Sequence, residues 1–212
     1  MRVLILSGEN HGFDQSAGMI HGFLDAQPEL SAELSTDKDL LACGMDQYDV
    51  CVFGTGFTRT VKREDGSIAR ESDLTPAQED GLFGFVAGGK GLVGIHGTGW
   101  WIGGRAADLL GGHANWHPPG LTFTVRVDDA AHPVMEGIED FEVDDEIYIS
   151  AYEPQLQILA FAQWHGGTFP VAWAKAYGSG RVFYTALGHG PGTFARPPVQ
   201  AMLCQGVRWA AG

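Results

Sequence analysis

Gly88-Gly-Lys-Gly-Leu-Val-Gly-Ile-His-Gly-Thr-Gly-Trp-Trp101 carries a short apolar strand into a glycine-lined turn and on toward a helix, with His96 at the turn itself. A strand, a glycine turn and a helix in that order is the unit from which parallel α/β sheets are built. Gly94, Gly97 and Gly99 permit backbone angles and close approaches that a Cβ obstructs. The turn lifts the His96 side chain to the carboxyl edge of the sheet, with the first amides of the following helix aimed at the same space. In hydrolases the analogous sharp turn carries a serine or cysteine nucleophile. Here it carries an imidazole.

Upstream, Arg2-Val-Leu-Ile-Leu-Ser7 reads as a buried strand that breaks into Gly8-Glu-Asn-His-Gly12. Helical spacing follows from Gln15 to Ala26, then strands over Leu30–Leu34 and Tyr48–Phe53, the latter running into Gly54-Thr-Gly56. This alternation implies right-handed βαβ units in a parallel sheet. Phe57 to Leu74 turns polar, with Glu64-Asp-Gly-Ser67 as the tip of a surface hairpin. Thr75 and Pro76 open a helix as cap and first-turn residue, with Gln78 and Glu79 suited to its N-terminus, and Gly88-Gly89 ends it. Beyond His96 a helix is expected to about Leu110. After Pro118-Pro119 strands dominate, over Leu121–Val127, Phe141–Val143, Glu146–Ile149, Leu156–Phe161, Val171–Ala174 and Arg181–Leu187, and an amphipathic helix from Pro198 to Ala211 closes the chain. With no repeats or low-complexity segments, the 212 residues are expected to form a single domain, 1–212.

Acidic residues outnumber basic ones 26 to 13, and the net charge of −13 opposes binding to nucleic acid or to an anionic membrane surface. A small ligand or a protein partner fits better, and a homo-oligomer is left open. No stretch approaches the roughly 20 apolar residues needed to span a bilayer, and the N-terminal apolar run is too short for a secretion signal, so a cytoplasmic protein is expected. Cys43, Cys51 and Cys204 are odd in number and set among apolar residues, which reads as three core positions and not as a disulfide framework or a thiolate zinc site.

Several blocks recur in an order and spacing that any one alone would not make specific: Gly91-Leu-Val-Gly-Ile-His-Gly97, Gly111-Gly-His113 with His117-Pro118, His132-Pro133, Asp144-Asp-Glu-Ile-Tyr148, Pro170-Val-Ala-Trp173, Tyr177-Gly-Ser-Gly-Arg-Val-Phe-Tyr184 and Leu187-Gly-His189. Together, from about Val3 to Ala210, they resemble the trehalose-utilisation (ThuA-like) family. The resemblance implies a flavodoxin-like α/β fold related to class I glutamine amidotransferases, a three-layer sandwich around a central, mostly parallel sheet. It also implies carbohydrate metabolism, in the catabolism of disaccharides and other glycosides oxidised to the 3-keto form. Glutamine amidotransferase activity is not expected: it needs a cysteine at the elbow, and an imidazole cannot form the acyl intermediate in its place.

The candidate catalytic residues are His96, Glu146 and His189. His96, with a reference pKa near 6.5, suits acid–base chemistry around neutrality. Glu146 lies in the Asp144-Asp145-Glu146 block, which otherwise reads as a solvated acidic turn. His189, before Gly190-Pro-Gly192, follows the last long strand, where amidotransferases of the related fold carry their histidine. The substrate-binding candidates are His11 at the end of the first strand, Trp100 as a stacking surface for a sugar, His113 and His117 on a loop, and Tyr148 on the same strand face as Glu146. His21 and His132 read as structural.

No cofactor is expected, since Gly54-Thr-Gly56 falls short of a dinucleotide fingerprint. Eight histidines leave a bound divalent metal open. The leading expectation is an enzyme that removes the proton next to the ketone of a keto-sugar or 3-keto-glycoside, with His96 or His189 as base and Glu146 as proton donor to the departing glycosidic oxygen. Elimination, isomerisation and hydrolysis share that first step. The alternatives are a non-catalytic sugar-binding or regulatory protein on the same scaffold, and a metal-dependent hydrolase built on the histidines.

Overall fold

The structure is a computed structural model that describes residues 1–8, 12–54, 57–101 and 105–212. Along the chain run β1 (Arg2–Leu6), α1 (Phe13–Asp25), β2 (Ser31–Ser35), α2 (Leu40–Cys43), β3 (Val50–Phe53), β4 (Thr58–Lys62), β5 (Ile68–Ser72), α3 (Pro76–Ala87) and β6 (Gly91–Ile95). A 3-10 turn over His96–Trp100 leads to α4 (Ala106–Leu110), β7 (Gly112–Trp116), β8 (Leu121–Val127), β9 (Phe141–Asp145), β10 (Ile149–Tyr152), β11 (Gln157–Trp164), β12 (Gly167–Tyr177), β13 (Gly180–Thr185), α5 (Pro191–Phe194) and α6 (Pro197–Ala211).

One nine-stranded sheet organises the molecule, in the order β2-β1-β3-β6-β13-β12-β11-β8-β9. The first five strands pair in parallel and the last four antiparallel. In the parallel half the order is that of flavodoxin-like sheets. Every residue of β3 and β6 is buried, because helices cover both faces and both faces must be apolar. Neighbouring residues on β13 show the two coverings. Phe183 faces α6, where a Cβ at Gly206 would come within 2.4 Å of its ring, and Tyr184 faces the other way, near Leu110 of α4. The fold is thus an α/β three-layer sandwich around a mixed sheet.

The capping box expected at Thr75 is present: its hydroxyl accepts from the Gln78 N–H and the Gln78 side chain accepts from the Thr75 N–H. The Glu64–Ser67 hairpin tip joins antiparallel β4 and β5. Four local expectations change. The helix after His96 is a 3-10 turn followed by the short α4, as glycines at 97 and 99 disfavour a continuous helix. His113 lies on a strand, β7, which pairs with β10 to form a separate two-stranded sheet. The strand expected from Glu146 starts only at Ile149, so residues 146–148 leave the ladder. Cys51 and Cys204 are buried but Cys43 is exposed, at the end of the four-residue α2.

At the amino ends of the parallel strands Asp49 accepts from the Arg2 N–H at 2.9 Å and from Lys90 Nζ at 2.8 Å. The Lys90 hydrogen bond and then the Arg2 N–H hold its carboxyl below the usual range against the opposing effect of burial. A carboxyl whose pKa is depressed on folding contributes stability above its unfolded pKa and loses it as pH falls through the folded value. The pair is more than a third exposed, so its contribution is at most about 1 kcal/mol. Thermal midpoints measured from pH 7 down to pH 3 should fall less steeply in Lys90→Met than in the wild type. Parallel curves would remove this pair from the acid sensitivity.

Candidate active site

Ile95, the last residue of β6, delivers His96 to the carboxyl edge of the sheet with φ 42°, a left-handed conformation that non-glycine residues rarely adopt. The surroundings hold it there. Tyr184, from β13, donates its hydroxyl to the His96 carbonyl at 2.9 Å, and Thr98 donates to the Ile95 carbonyl at 2.9 Å. A Cβ at Gly99 would stand 2.4 Å from the Tyr184 hydroxyl, so this approach requires glycine. β6 and β13 end level, Ile95 opposite Thr185, which brings the His96 ring against the backbone of Ala186. Nδ1–H donates to the Ala186 carbonyl at 2.6 Å. A carbonyl only accepts, so neutral His96 carries its lone pair on Nε2, where the Tyr148 hydroxyl donates at 2.6 Å.

Glu146 stands at the centre. Its Oε2 lies 3.5 Å from His96 Nε2, and its Oε1 lies 3.3 Å from His189 Nδ1 and 3.4 Å from His117 Nδ1. Its side chain is 9% exposed, against 1% for His96, 33% for His117 and 55% for His189, so the cluster opens to solvent through His189 and His117. Burial pushes the Glu146 carboxyl up, but His96 in its protonated form, with Nε2–H then facing the carboxylate, and the charges that His189 and His117 carry when protonated outweigh it and hold the group below the usual range. A carboxyl in that state is an ionised acceptor at neutral pH. Tyr148 is the opposite case: burial, with the nearby Tyr184 and Glu146, pushes its hydroxyl far up and keeps it a donor.

Asp145 brings the pieces together. Along β9 the buried residues alternate, Phe141, Val143 and Asp145, while Glu142 and Asp144 face outward. Asp144 accepts from Thr122 at the surface. The buried Asp145 carboxyl accepts from the Glu146 N–H at 2.8 Å, the Gly188 N–H at 2.8 Å, the His189 N–H at 3.2 Å and the Thr193 hydroxyl at 2.6 Å. It ties the end of β9 to the segment after β13, and so Glu146 to His189. The His96 and His189 ring centroids are 5.4 Å apart, so the two histidines meet. The acidic neighbour of His189, Glu146, comes from a segment distant in sequence.

Of the two adjacent tryptophans, Trp101 is core, packed on Phe53 and Phe83. Trp100 belongs to the site wall, its ring 5.6 Å from that of Tyr148, 5.9 Å from His117 and 6.5 Å from His113. Tyr148 lies 4.5 Å from the His96 ring. Burial lowers the pKa of His113, favouring its neutral form. His11 lies outside the described residues. His132 accepts from the Val134 N–H and packs on Trp209, and His21 bonds the Ala32 carbonyl, both structural roles. Sequence reasoning did not single out Tyr184, and it left Asp145 undecided, although the alternation of Phe141, Val143 and Asp145 was a usable signal of burial. Among the described residues, His96, Glu146 and His189 each offer a metal-ligating atom, all within 4.8 Å of one another. Among the described residues no helix is long and apolar enough to cross a membrane.

The family model described as trehalose utilisation (ThuA) matches residues 2–210. No curated protein matches the chain. Among solved structures, a ThuA-like protein from Parabacteroides merdae aligns at a TM-score of 0.80 and 17% identity, covering 99% of this chain and 89% of its own. A second, from Bacteroides uniformis, aligns at 0.77 and 19% identity, covering 99% and 91%. A β-galactosidase from Bacillus circulans sp. alkalophilus aligns at 0.66 and 13% identity, covering 99% of this chain but 30% of its own, a likeness of fold alone. With a family model matched over nearly its whole length, the chain belongs to the trehalose-utilisation (ThuA) family.

Proposed function

We propose that the protein is a carbohydrate-catabolic enzyme that removes the proton next to the ketone of a 3-keto-glycoside. The observation that carries this reading is the buried Glu146 carboxyl ringed by His96, His117, His189 and Tyr148 at the carboxyl ends of the parallel strands. A ketone at C3 acidifies the C2–H. Glu146 accepts that proton, the C–H electron pair becomes the C1–C2 π bond through the enolate, and the glycosidic oxygen on C1 leaves with a proton from His189. Tyr148, held protonated, keeps its single O–H on His96 Nε2 and so fixes the imidazole beside Glu146. His96, with Nδ1–H on a backbone carbonyl and Nε2 accepting from Tyr148, holds the wall of the site beside Glu146 and does not reach out to substrate. Glu146 and the histidines therefore exchange the roles expected from sequence.

The test is incubation with 3-keto-trehalose and 3-keto-glucosides in deuterated water, following substrate loss and C2 deuteration. Exchange or product above the uncatalysed background is expected. Tight binding of these sugars with neither exchange nor product would leave a sugar-binding or regulatory protein in place of an enzyme.

A further inference from the structure

We infer that His96 Nε2, Glu146 and His189 Nδ1 form a binding site for one divalent transition-metal ion. Ion-to-ligand distances of about 2.0–2.2 Å in a tetrahedral site put neighbouring ligand atoms about 3.3 Å apart. His189 Nδ1 lies 3.3 Å from Glu146 Oε1 and His96 Nε2 lies 3.5 Å from Glu146 Oε2, so each carboxylate oxygen faces one imidazole, and one ligand atom from each of the three residues lies within 4.8 Å of the other two. The outer contact of His96 points the same way. A metal-bound histidine characteristically gives its other ring N–H to a carbonyl or carboxylate, which fixes the tautomer and turns the lone pair inward, and His96 Nδ1–H is fixed on the Ala186 carbonyl at 2.6 Å. Asp145 accepts from the backbone N–H of both Glu146 and His189, so two of the ligands are set by one buried anchor. Two imidazoles and a carboxylate favour zinc, cobalt, nickel or manganese over magnesium or calcium.

The site overlaps the groups of the proposed reaction, and only one of its consequences rests on that reading. An ion there occupies Glu146 and His189, so it blocks proton transfer, and binding replaces the Tyr148 hydrogen bond to Nε2. The probe is Co2+ alone, added to chelator-treated protein, read by its visible absorption and by calorimetry. The wild type is expected to bind one equivalent with micromolar or tighter affinity. His189→Ala and Glu146→Gln should each weaken binding by at least 10-fold, and exposed His165→Ala should not. Tyr148→Phe, which leaves the Nε2 lone pair without its donor, should bind as tightly or more tightly. The inference is overturned by millimolar binding in the folded wild type, by His189→Ala and Glu146→Gln binding like wild type, or by a 10-fold loss in Tyr148→Phe.

Deuterium exchange in the presence of Co2+ separates the two readings. Inhibition relieved by chelator is expected. Exchange that appears only after Co2+ is added keeps the metal site and removes Glu146 as the base. Exchange without any Co2+ binding keeps the base and removes the metal site.

Discussion

Replacing Glu146 with Gln is expected to abolish C2 deuteration and turnover of 3-keto-glycosides together, by on the order of 10²-fold or more. The amide keeps the shape of the side chain but has no basic oxygen of comparable strength, and no enolate forms without a base. The thermal midpoint should stay close to the wild type, because the backbone at residue 146 is anchored by Asp145 and not by the Glu146 side chain. His189→Ala should divide the two readouts. Deuteration should persist, since Glu146 still takes the proton, and departure of the glycosidic oxygen should slow. The opposite pattern, exchange retained in Glu146→Gln and lost in His189→Ala, would restore the assignment read from sequence, with the histidine as base. Urea denaturation of each variant at neutral pH separates loss of chemistry from loss of fold.

Asp145→Ala is expected to cost more stability than any other single change in the site. The side chain is fully buried and satisfies the N–H groups of Glu146, Gly188 and His189 and the Thr193 hydroxyl. Each buried donor left without a partner costs about 1–3 kcal/mol, and water entering the cavity recovers part of it. A net loss of about 3–5 kcal/mol follows, which for a chain of this size lowers the thermal midpoint by on the order of 10 °C. Asp145→Asn retains one acceptor oxygen and should lose roughly half as much. Activity should fall further than stability in both, because the Glu146 and His189 backbones are no longer held to one carboxylate. A loss under 1 kcal/mol in Asp145→Ala, measured by urea denaturation, would show that the donors find other partners.

The parallel half of the fold was legible because its strands are covered on both faces. Burial on both sides demands a continuous apolar run, and Val3–Leu6, Val50–Phe53 and Leu92–Ile95 show that demand without help from their neighbours. The capping box at Thr75 was legible for a similar reason: donor and acceptor are three residues apart. The His96 elbow announced itself through its glycines, one of which proves to be needed to the ångström. Less was legible where the chain breaks its own pattern. The strand read through Glu146 to Ile149 is interrupted at 146–148, because those residues turn out of the ladder to face His96 and His189.

By itself the sequence determined the α/β class, most of the strands and the identity of the chemically able side chains, which depend on near neighbours along the chain, and the family resemblance, which depends on the order and spacing of short blocks from one end to the other. Only the tertiary structure decided which of those side chains act together. His96 meets His189 because β6 pairs with β13, Glu146 joins them because Asp145 clasps the segment after β13, and Trp100 rather than Trp101 faces the site because Phe53 and Phe83 claim the other ring. The roles turned on the same contacts. An acidic side chain in a charged run gives no sign of its protonation state. What draws the Glu146 carboxyl below the usual range is the charge that the imidazoles at positions 96, 117 and 189 carry when protonated, and electrostatic work of that kind depends on distances that pairing between remote strands creates.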